Sequence, residues 1–590
     1  MNFLKNVLAS MIGTIVAMVV VGVIFFFLII AAVVSAGSGG EERTNVSENS
    51  VLHLKLDQAI VERAGENDFN FNPATFQSEE TIGLNHIVED LAHAKTDDNI
   101  KGIFLEVSSV GAAPSTVLDI RNAIIDFKSS GKWVIAYAEN YSQAGYYVAS
   151  AANEVYMYPT GTFDWRGLAT EIMFYKNMLD KLEIEAQVIR GPNNKFKSAV
   201  EPFMYDHMSP ENREQIATFV GDIWNIMLDG IAKERGVTKE MLNLAADSLT
   251  FRDVQLVKDA GLLNGLSYRD EVMDLIKTKV GVDKVDDIKF ADFGDYHRSY
   301  EKTIGTDRVA VVYAVGGIES GEGDDQTIGS DRIAKALRDA REDSNVKAVV
   351  LRVNSPGGSA LASDVIWRET ELIKKSGKPF IVSMGDYAAS GGYYIACSAD
   401  RIFANPNTIT CSIGVFGVIP NMKNFLNNKI GLTFDTYQTN AHAGLISVTK
   451  PLDEMEMKAM QDMIADIYDD FTSKVAKGRN KTQAEVDSIG QGRVWSGEDA
   501  LQIGLVDELG DLKAAVAYAA QQAGIADYST KGFPKMKDPF EELMEDLTGQ
   551  KQTAILQQVL GDDFRFYEEI QAVRAMKGPQ ARLPFALEIR

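Results

Sequence analysis

Cysteine is nearly absent from this sequence: its 590 residues contain two, Cys397 and Cys411. Neither belongs to a CxxC pair or to a spacing that suits a metal. The six histidines are scattered and form no zinc signature, so the sequence offers no metal site and calls for no cofactor. Basic charge is also short, with 59 Lys and Arg against 83 Asp and Glu and a net charge of −24. Nucleic-acid binding needs a basic footprint, and that class is excluded; the acidity reads as a solvated surface. Beyond the N-terminus no apolar run is long enough to span a bilayer.

The N-terminus is different. No charged residue lies between Lys5 and Glu41, and the run "MIGTIVAMVVVGVIFFFLIIAAVV" exceeds the roughly 20 residues that a bilayer crossing needs. Lys5 precedes it, and Glu41 and Glu42 follow it, which places the N-terminus on the cytoplasmic side and the bulk of the chain outside. The small residues of "VVSAG" allow a cleaved signal peptide instead, but such a segment has an apolar core of only about 7–15 residues. The expectation is a cytoplasmic stub and membrane anchor over 1–36, then a Gly/Ser/Glu-rich linker over 37–50.

At this length the chain should form two or more domains. It also repeats itself. "NIKGIFLEVSSVGAAPS" from Asn99 matches "NVKAVVLRVNSPGGSAL" from Asn345, an offset of 246. "SGKWVIAYAENYSQAGYYVASAANEVY" (130–156) matches "SGKPFIVSMGDYAASGGYYIACSADRIF" (376–403), and the offset is 247 by the tyrosine pairs. "VKDAGLLNGL" (257–266) matches "ALQIGLVDEL" (500–509). Three blocks in one order at nearly one spacing mark a tandem duplication. "RVAVVYAVGGI", "VKAVVLRVN" and "KPFIVSMGD" read as buried strands, and 331–344 reads as a helix through Ile333, Ala334, Leu337 and Ala340. Strand–helix–strand units predict a largely parallel α/β sheet in each copy, over 51–300 and 301–525. The remainder, 526–590, is a charged tail in which 541–560 has the pattern of an amphipathic docking helix.

"DYAASGGYYIACSAD" (386–400) poses the chemical question. Ser390 follows a strand and precedes two glycines. If "YYIACSA" is helical, the helix N-terminus faces an oxyanion formed at the serine. "NSPGGSA" (354–360) supplies a second Gly-Gly turn, in which Gly358 can offer another N–H. Taken alone, Ser-Gly-Gly is a weak motif that is more often merely an N-cap and a tight turn. The duplication weighs against that: Ser390 aligns with Gln143, Gly391 with Ala144 and Gly358 with Ala112, so the scaffold does not require the serine.

A nucleophilic serine needs a base. His442 falls in a plain loop. A lysine serves only when neutral, which requires burial or neighbouring positive charge. "RGPNNKFKSAVEPFMYD" (190–206) offers Lys197 and Lys195. The second copy has Leu445 or Ile446 near the place of Lys197, which implies a buried position. One copy would then hold the base and the other the nucleophile. Glu201 stands close by in sequence and must point away, since a carboxylate beside the amine would keep it charged.

With "FKSAVEPF", "SPGGS", "DYAASGGYYIA", both repeats and the apolar N-terminus, nearly the whole chain resembles the signal peptide peptidase A family in its long Gram-negative form. The resemblance implies a crotonase/Clp-protease type of α/β fold and a Ser–Lys dyad that needs no cofactor. It assigns the general base to Lys197, the nucleophile to Ser390, the oxyanion N–H groups to Gly358 and Gly391, and the orientation of the lysine to Ser412. Cys411 stands where many relatives carry glycine; a packing role is the expectation for it. The resemblance further implies a single-pass protein of the inner membrane with its bulk in the periplasm. It would degrade cleaved signal peptides and similar hydrophobic peptides as a homo-oligomer, a tetramer shaped like a bowl. A crotonase-like acyl-CoA enzyme shares the oxyanion architecture, and a non-catalytic membrane scaffold could share the fold; an extracytoplasmic location opposes the first and the presence of both dyad residues opposes the second.

Overall fold

The computed structural model describes residues 45–536, apart from 66–69, 73–76, 80 and 303–304, together with 579–582 and residues 13, 14, 17, 18, 20 and 21. Most of the proposed anchor, and the amphipathic segment at 541–560, lie outside the described residues. Among the described residues no helix is long and apolar enough to cross a membrane.

Two sheets of matching topology form the body. In the first, Gly265–Leu266, Glu154–Met157, Trp133–Ala138, Ile100–Glu106, Ser50–Lys55 and Phe290–Asp292 lie side by side in that order, all parallel. In the second, Glu508–Leu509, Arg401–Ala404, Phe380–Ala389, Val346–Ser355, Arg308–Val315 and Ser529–Phe533 repeat the order, again all parallel. The last strand of the second sheet lies past 525, in the segment read from sequence as tail. The duplication seen in sequence is thus a duplication of topology.

The central strands are apolar on both faces because both faces are covered. Along Arg308–Val315, Ala310, Val312 and Ala314 enter one core, whereas Val309 and Val311 enter a second core beneath Ala515 and Ala519 of the helix Leu512–Gln522. The helix expected over 331–344 runs Ser330–Glu342 and buries Ile333, Ala334, Leu337 and Ala340.

The long strand Phe380–Ala389 is used twice. Its first half pairs with Arg401–Ala404, and Tyr387–Ala389 pairs with Ile409–Cys411. The latter strand also pairs antiparallel with Val494–Ser496. A third sheet then joins the copies: Glu185–Arg190 of the first pairs antiparallel with Phe416–Asn421 of the second, from Arg190 against Phe416 to Glu185 against Asn421. This ladder carries the chain just after Arg190 to the C-terminal ends of the second copy's strands.

A buried polar cluster fixes the same junction. Arg352 of the second sheet reaches Glu62 (Nε to Oε1, 2.6 Å) and Asp119 (Nη2 to Oδ2, 3.5 Å) of the first copy. Asp386 accepts from the N–H (2.8 Å) and the hydroxyl (2.7 Å) of Thr116 at the start of the helix Pro114–Lys128.

Candidate active site

Ser390 sits where the strand Phe380–Ala389 turns into the helix Gly391–Ala396. Its φ of 54° and ψ of −112° are far from the basins that L-residues favour. Such a conformation costs about 1–3 kcal/mol and persists only where its surroundings impose it. Here the Ser390 N–H donates to the Cys411 carbonyl (2.6 Å), and its own carbonyl accepts from Tyr394 N–H (2.9 Å). The side chain makes no capping bond to the helix. Ser390 therefore stands at the N-cap position without capping the helix through its side chain, as a Ser-Gly-Gly turn would otherwise suggest. Replacing it tests the strain: Ser390→Gly is expected to be more stable than Ser390→Ala by about 1–3 kcal/mol, since glycine alone is at ease at this φ and ψ. Denaturant unfolding of the two variants, neither of which has a hydroxyl, measures the difference; equal midpoints would show an unstrained turn.

The Oγ of Ser390 lies 2.9 Å from Lys197 Nζ. Lys197 also donates to Ser412 Oγ at 3.0 Å and to the Ser412 carbonyl at 3.1 Å. All three residues are fully buried. Burial, with no carboxylate acting on the amine, pushes the Lys197 pKa well below the ordinary lysine value. Glu201 does point away: it accepts from Ser209 N–H and Oγ and from Asn212 Nδ2, at the head of the helix Pro210–Arg235. The alternatives to Lys197 are placed elsewhere. Lys195 is largely exposed, with its nearest acid, Glu211, at 3.6 Å, and His442 faces Glu456 and Asp453.

Ser412 is held by its backbone. Cys411 (φ 71°) and Ser412 (φ 50°) are consecutive left-handed residues. That turn aims both the hydroxyl and the carbonyl of Ser412 at the amine, and it explains why glycine suits position 411. The Cys411 thiol is buried and its pKa is pushed up by burial, so it is not poised as a thiolate.

Two further residues shape the lysine's surroundings, and nothing in the sequence singled them out. Gly492 (φ 80°) lies against Lys197: a Cβ there would stand 2.4 Å from the Lys197 Cβ. Gln215, fully buried, donates to the Phe196 carbonyl (3.2 Å) and to Ser198 Oγ (2.8 Å), on either side of Lys197. Its Oε1 accepts from Val494 N–H (3.2 Å) in the strand beside Ile409–Cys411. Gln215 ties the lysine's segment to the sheet that carries Ser412. Its signal is three-dimensional only, since it is one amide on a long helix.

Gly358 lies in the short strand Gly357–Ser359, which follows the strand beside Ser390's own. A Cβ on Gly358 would fall 2.1 Å from the Ile318 carbonyl oxygen, so the position admits no side chain. Gly391 opens the helix after Ser390, and by position its N–H has no acceptor within that helix.

The first copy closes the corresponding place. Gln143 occupies the position of Ser390, and its Oε1 accepts from Arg166 N–H (3.0 Å) and Gly167 N–H (2.9 Å). Its Nε2 donates to the Gly167 carbonyl (3.0 Å). At the repeat offset Gly167 corresponds to Gly414, whose carbonyl lies 3.4 Å from Ser390 Oγ. An amide clamp in one copy stands where the other keeps a hydroxyl.

A buried serine thus lies in contact with a buried lysine that no carboxylate offsets. The description of peptidase family S49 matches residues 126–283 and 373–526, once in each copy. The chain is 39% identical to Protease 4 of Salmonella typhi over 78% of its own length and 76% of that protein's. It is 36% identical to Protease 4 of Haemophilus influenzae, covering 84% of this chain and 83% of that one. It is 32% identical to the chloroplastic serine protease SPPA of Arabidopsis thaliana, covering 85% and 74%. These define a serine protease of mixed α/β fold built from two copies of one domain. The chain belongs to peptidase family S49.

Proposed function

We propose that this protease is a membrane-anchored endopeptidase with a crotonase/Clp-type fold, which cuts cleaved signal peptides and similar hydrophobic peptides through a dyad of Ser390 and Lys197. The observation that carries this reading is the 2.9 Å contact between Lys197 Nζ and Ser390 Oγ, both fully buried, with no acid to hold the amine charged. Neutral Lys197 accepts the Ser390 proton as Oγ attacks the scissile carbonyl. The N–H groups of Gly358 and Gly391 receive the oxyanion, and Ser412 holds the amine on line. Lys197 then protonates the leaving amine, and water deacylates Ser390. The uncharged N-terminal run fits an anchor that leaves the bulk on the periplasmic side, with substrate near the bilayer it came from. Assembly into a homo-oligomer, a tetramer by resemblance, completes the reading.

The test is hydrolysis of a synthetic signal peptide by detergent-solubilised full-length protein. Wild type is expected to cleave it. Ser390→Ala, folded as judged by cooperative unfolding, is expected to lose at least about 10⁴-fold in kcat/KM, the order seen when a hydrolase loses its nucleophile. Full activity in Ser390→Ala would overturn the reading.

A further inference from the structure

The two sheets match strand for strand until just before Ser390, and there the second copy has extra chain. Glu106 pairs with Tyr137 in the first sheet as Arg352 pairs with Ser383 in the second, both at an offset of 246. Val107 continues this level by donating to the Tyr137 carbonyl (3.3 Å), as Val353 does by pairing with Met384. Next, in the first copy, the Ser142 N–H donates to the Ser108 carbonyl (2.8 Å). In the second, Ser355 pairs with Ala388, and Pro356 has no N–H, so the ladder bond runs from the Ala389 N–H to the Ser355 carbonyl. The glycines that follow agree. A Cβ on Gly145 would fall 2.4 Å from the Ser108 carbonyl oxygen, and one on Gly392 would fall 2.8 Å from that of Ser355. Ser355 thus stands where Ser108 does and Ala389 where Ser142 does, now at an offset of 247. The second copy has gained one residue in each strand at the same level. In one strand that residue is Asn354, and in the other it lies between Met384 and Ala388.

Extra residues break the ladder, and the register shifts between Val353 and Ser355. Such a bulge leaves main-chain groups without ladder partners and re-aims the side chains beyond it. The Asn354 side chain fills this opening. Its Oδ1 accepts from the Tyr387 N–H (3.1 Å), and its Nδ2 donates to Asp386 Oδ2 (3.1 Å) and to Glu62 Oε2 (3.0 Å). It lies against Gly385, where a Cβ would stand 3.0 Å from the Asn354 Cγ. The chain leaves the bulge on both sides toward the reacting groups. Ser355 Oγ accepts from the Gly357 N–H (3.1 Å) at the turn that leads to Gly358. Tyr387, Ala388 and Ala389, paired with Ile409–Cys411, lead to Ser390.

We propose that Asn354 is a positioning residue for the reaction: its amide replaces the ladder bonds that the bulge removes, and so sets where Ser390 stands relative to Gly358. This rests on the Ser390–Lys197 reading above. The first copy lacks the extra residue, and with Gln143 in place of the serine it has no nucleophile to aim. The position calls for a neutral side chain that both accepts and donates, which an amide does. A carboxylate there would face Glu62 and Asp386, and the nearby cation, Arg352, is already paired with Glu62 and Asp119.

Hydrolysis of a synthetic signal peptide by the full-length, detergent-solubilised protein tests this, with kcat and KM measured separately and folding followed by cooperative unfolding. Asn354→Ala is expected to lose about 10²-fold in kcat, the order that a misplacement of about 1 Å costs, with KM little changed. Asn354→Asp keeps the shape and the acceptor for the Tyr387 N–H but can donate only when protonated. Its kcat relative to wild type at the same pH is therefore expected to rise from pH 8 to pH 6, and this arm decides the matter if Asn354→Ala does not fold. Three results would overturn the proposal and leave the dyad standing: wild-type kcat in both variants at pH 8, a loss confined to KM, or an Asn354→Asp deficit that is the same at both pH values. If wild type does not cut the peptide, or Ser390→Ala cuts it at the wild-type rate, the dyad reading fails and this proposal with it.

Discussion

Lys197→Met is expected to remove hydrolysis and, at the same time, to yield a protein that is more stable at pH 6 than the wild type. The activity loss follows from losing the proposed base; positioned proton transfer contributes about 10²–10⁴-fold to a reaction rate. The stability gain follows from where the amine sits. Lys197 is fully buried and no carboxylate offsets the burial, so the native state holds it with a pKa far below that of the unfolded chain. Between the lowered native pKa and the ordinary lysine value, the unfolded chain binds more protons than the native one. Wild-type stability therefore rises with pH across that window, by about 1.4 kcal/mol per pH unit. Methionine matches the stem and titrates nowhere, so the variant lacks that slope. Chemical denaturation at pH 6 and pH 9 should show its advantage over wild type shrinking as pH rises. A pH-independent difference would mean that Lys197 is charged in the native state and cannot be the base. The same titration predicts kcat/KM falling as pH drops through the native pKa, because protonation removes the base.

The second large effect is at the junction of the copies. Arg352→Met is expected to destabilise the protein by about 3–5 kcal/mol at pH 8, the cost of breaking a buried ion pair by removing one partner. The fully buried guanidinium also donates to Ser383 Oγ (2.9 Å) and to the Met384 carbonyl (3.0 Å). Asn354 bridges Glu62 and Asp386, at 3.0 and 3.1 Å. Three acids of both copies thus converge on one cation. Burial pushes Asp119 up to about 7, in spite of Arg352 beside it, and raises Asp386 as well. With a native pKa near 7 against an ordinary 3.8, Asp119 binds more protons in the native state between those values. Its contribution to stability is fully present below about 4 and declines as pH rises toward 7. The Arg352→Met penalty should therefore be smaller at pH 5, where Asp119 takes up a proton, than at pH 8. Asp119→Asn should cost much less than Arg352→Met, because the amide imitates the protonated acid. Denaturant midpoints at the two pH values check both statements; equal penalties at both would show that Asp119 does not titrate between them. Loosening this cluster should also lower activity, since it docks the copy that carries Lys197 onto the copy that carries Ser390.

The duplication, the parallel α/β character and the two residues proposed as a dyad were legible along the chain. Apolar strands buried on both faces and motifs repeated at one offset are local patterns, and they survive in a one-dimensional string. Gln143 opposite Ser390 was legible for the same reason. Other features were not. That Lys197 and not Lys195 reaches the serine depends on the antiparallel ladder of Glu185–Arg190 with Phe416–Asn421, which bridges a separation of 193 residues between lysine and serine. Glu201 could be judged only once its acceptors were filled by Ser209 and Asn212, and Gln215 mattered only when its helix lay across two segments from different copies. The segment at 580–582 was read as part of a tail, because a three-residue strand has no pattern of its own and is defined by the strands on either side. By itself the sequence determined which groups are candidates for the chemistry and that the chain carries its domain twice. The tertiary structure alone decided how the two copies meet and which amine loses its water. Desolvation, hydrogen-bond partners and strand register are properties of neighbours in space, and these neighbours lie far apart in the chain.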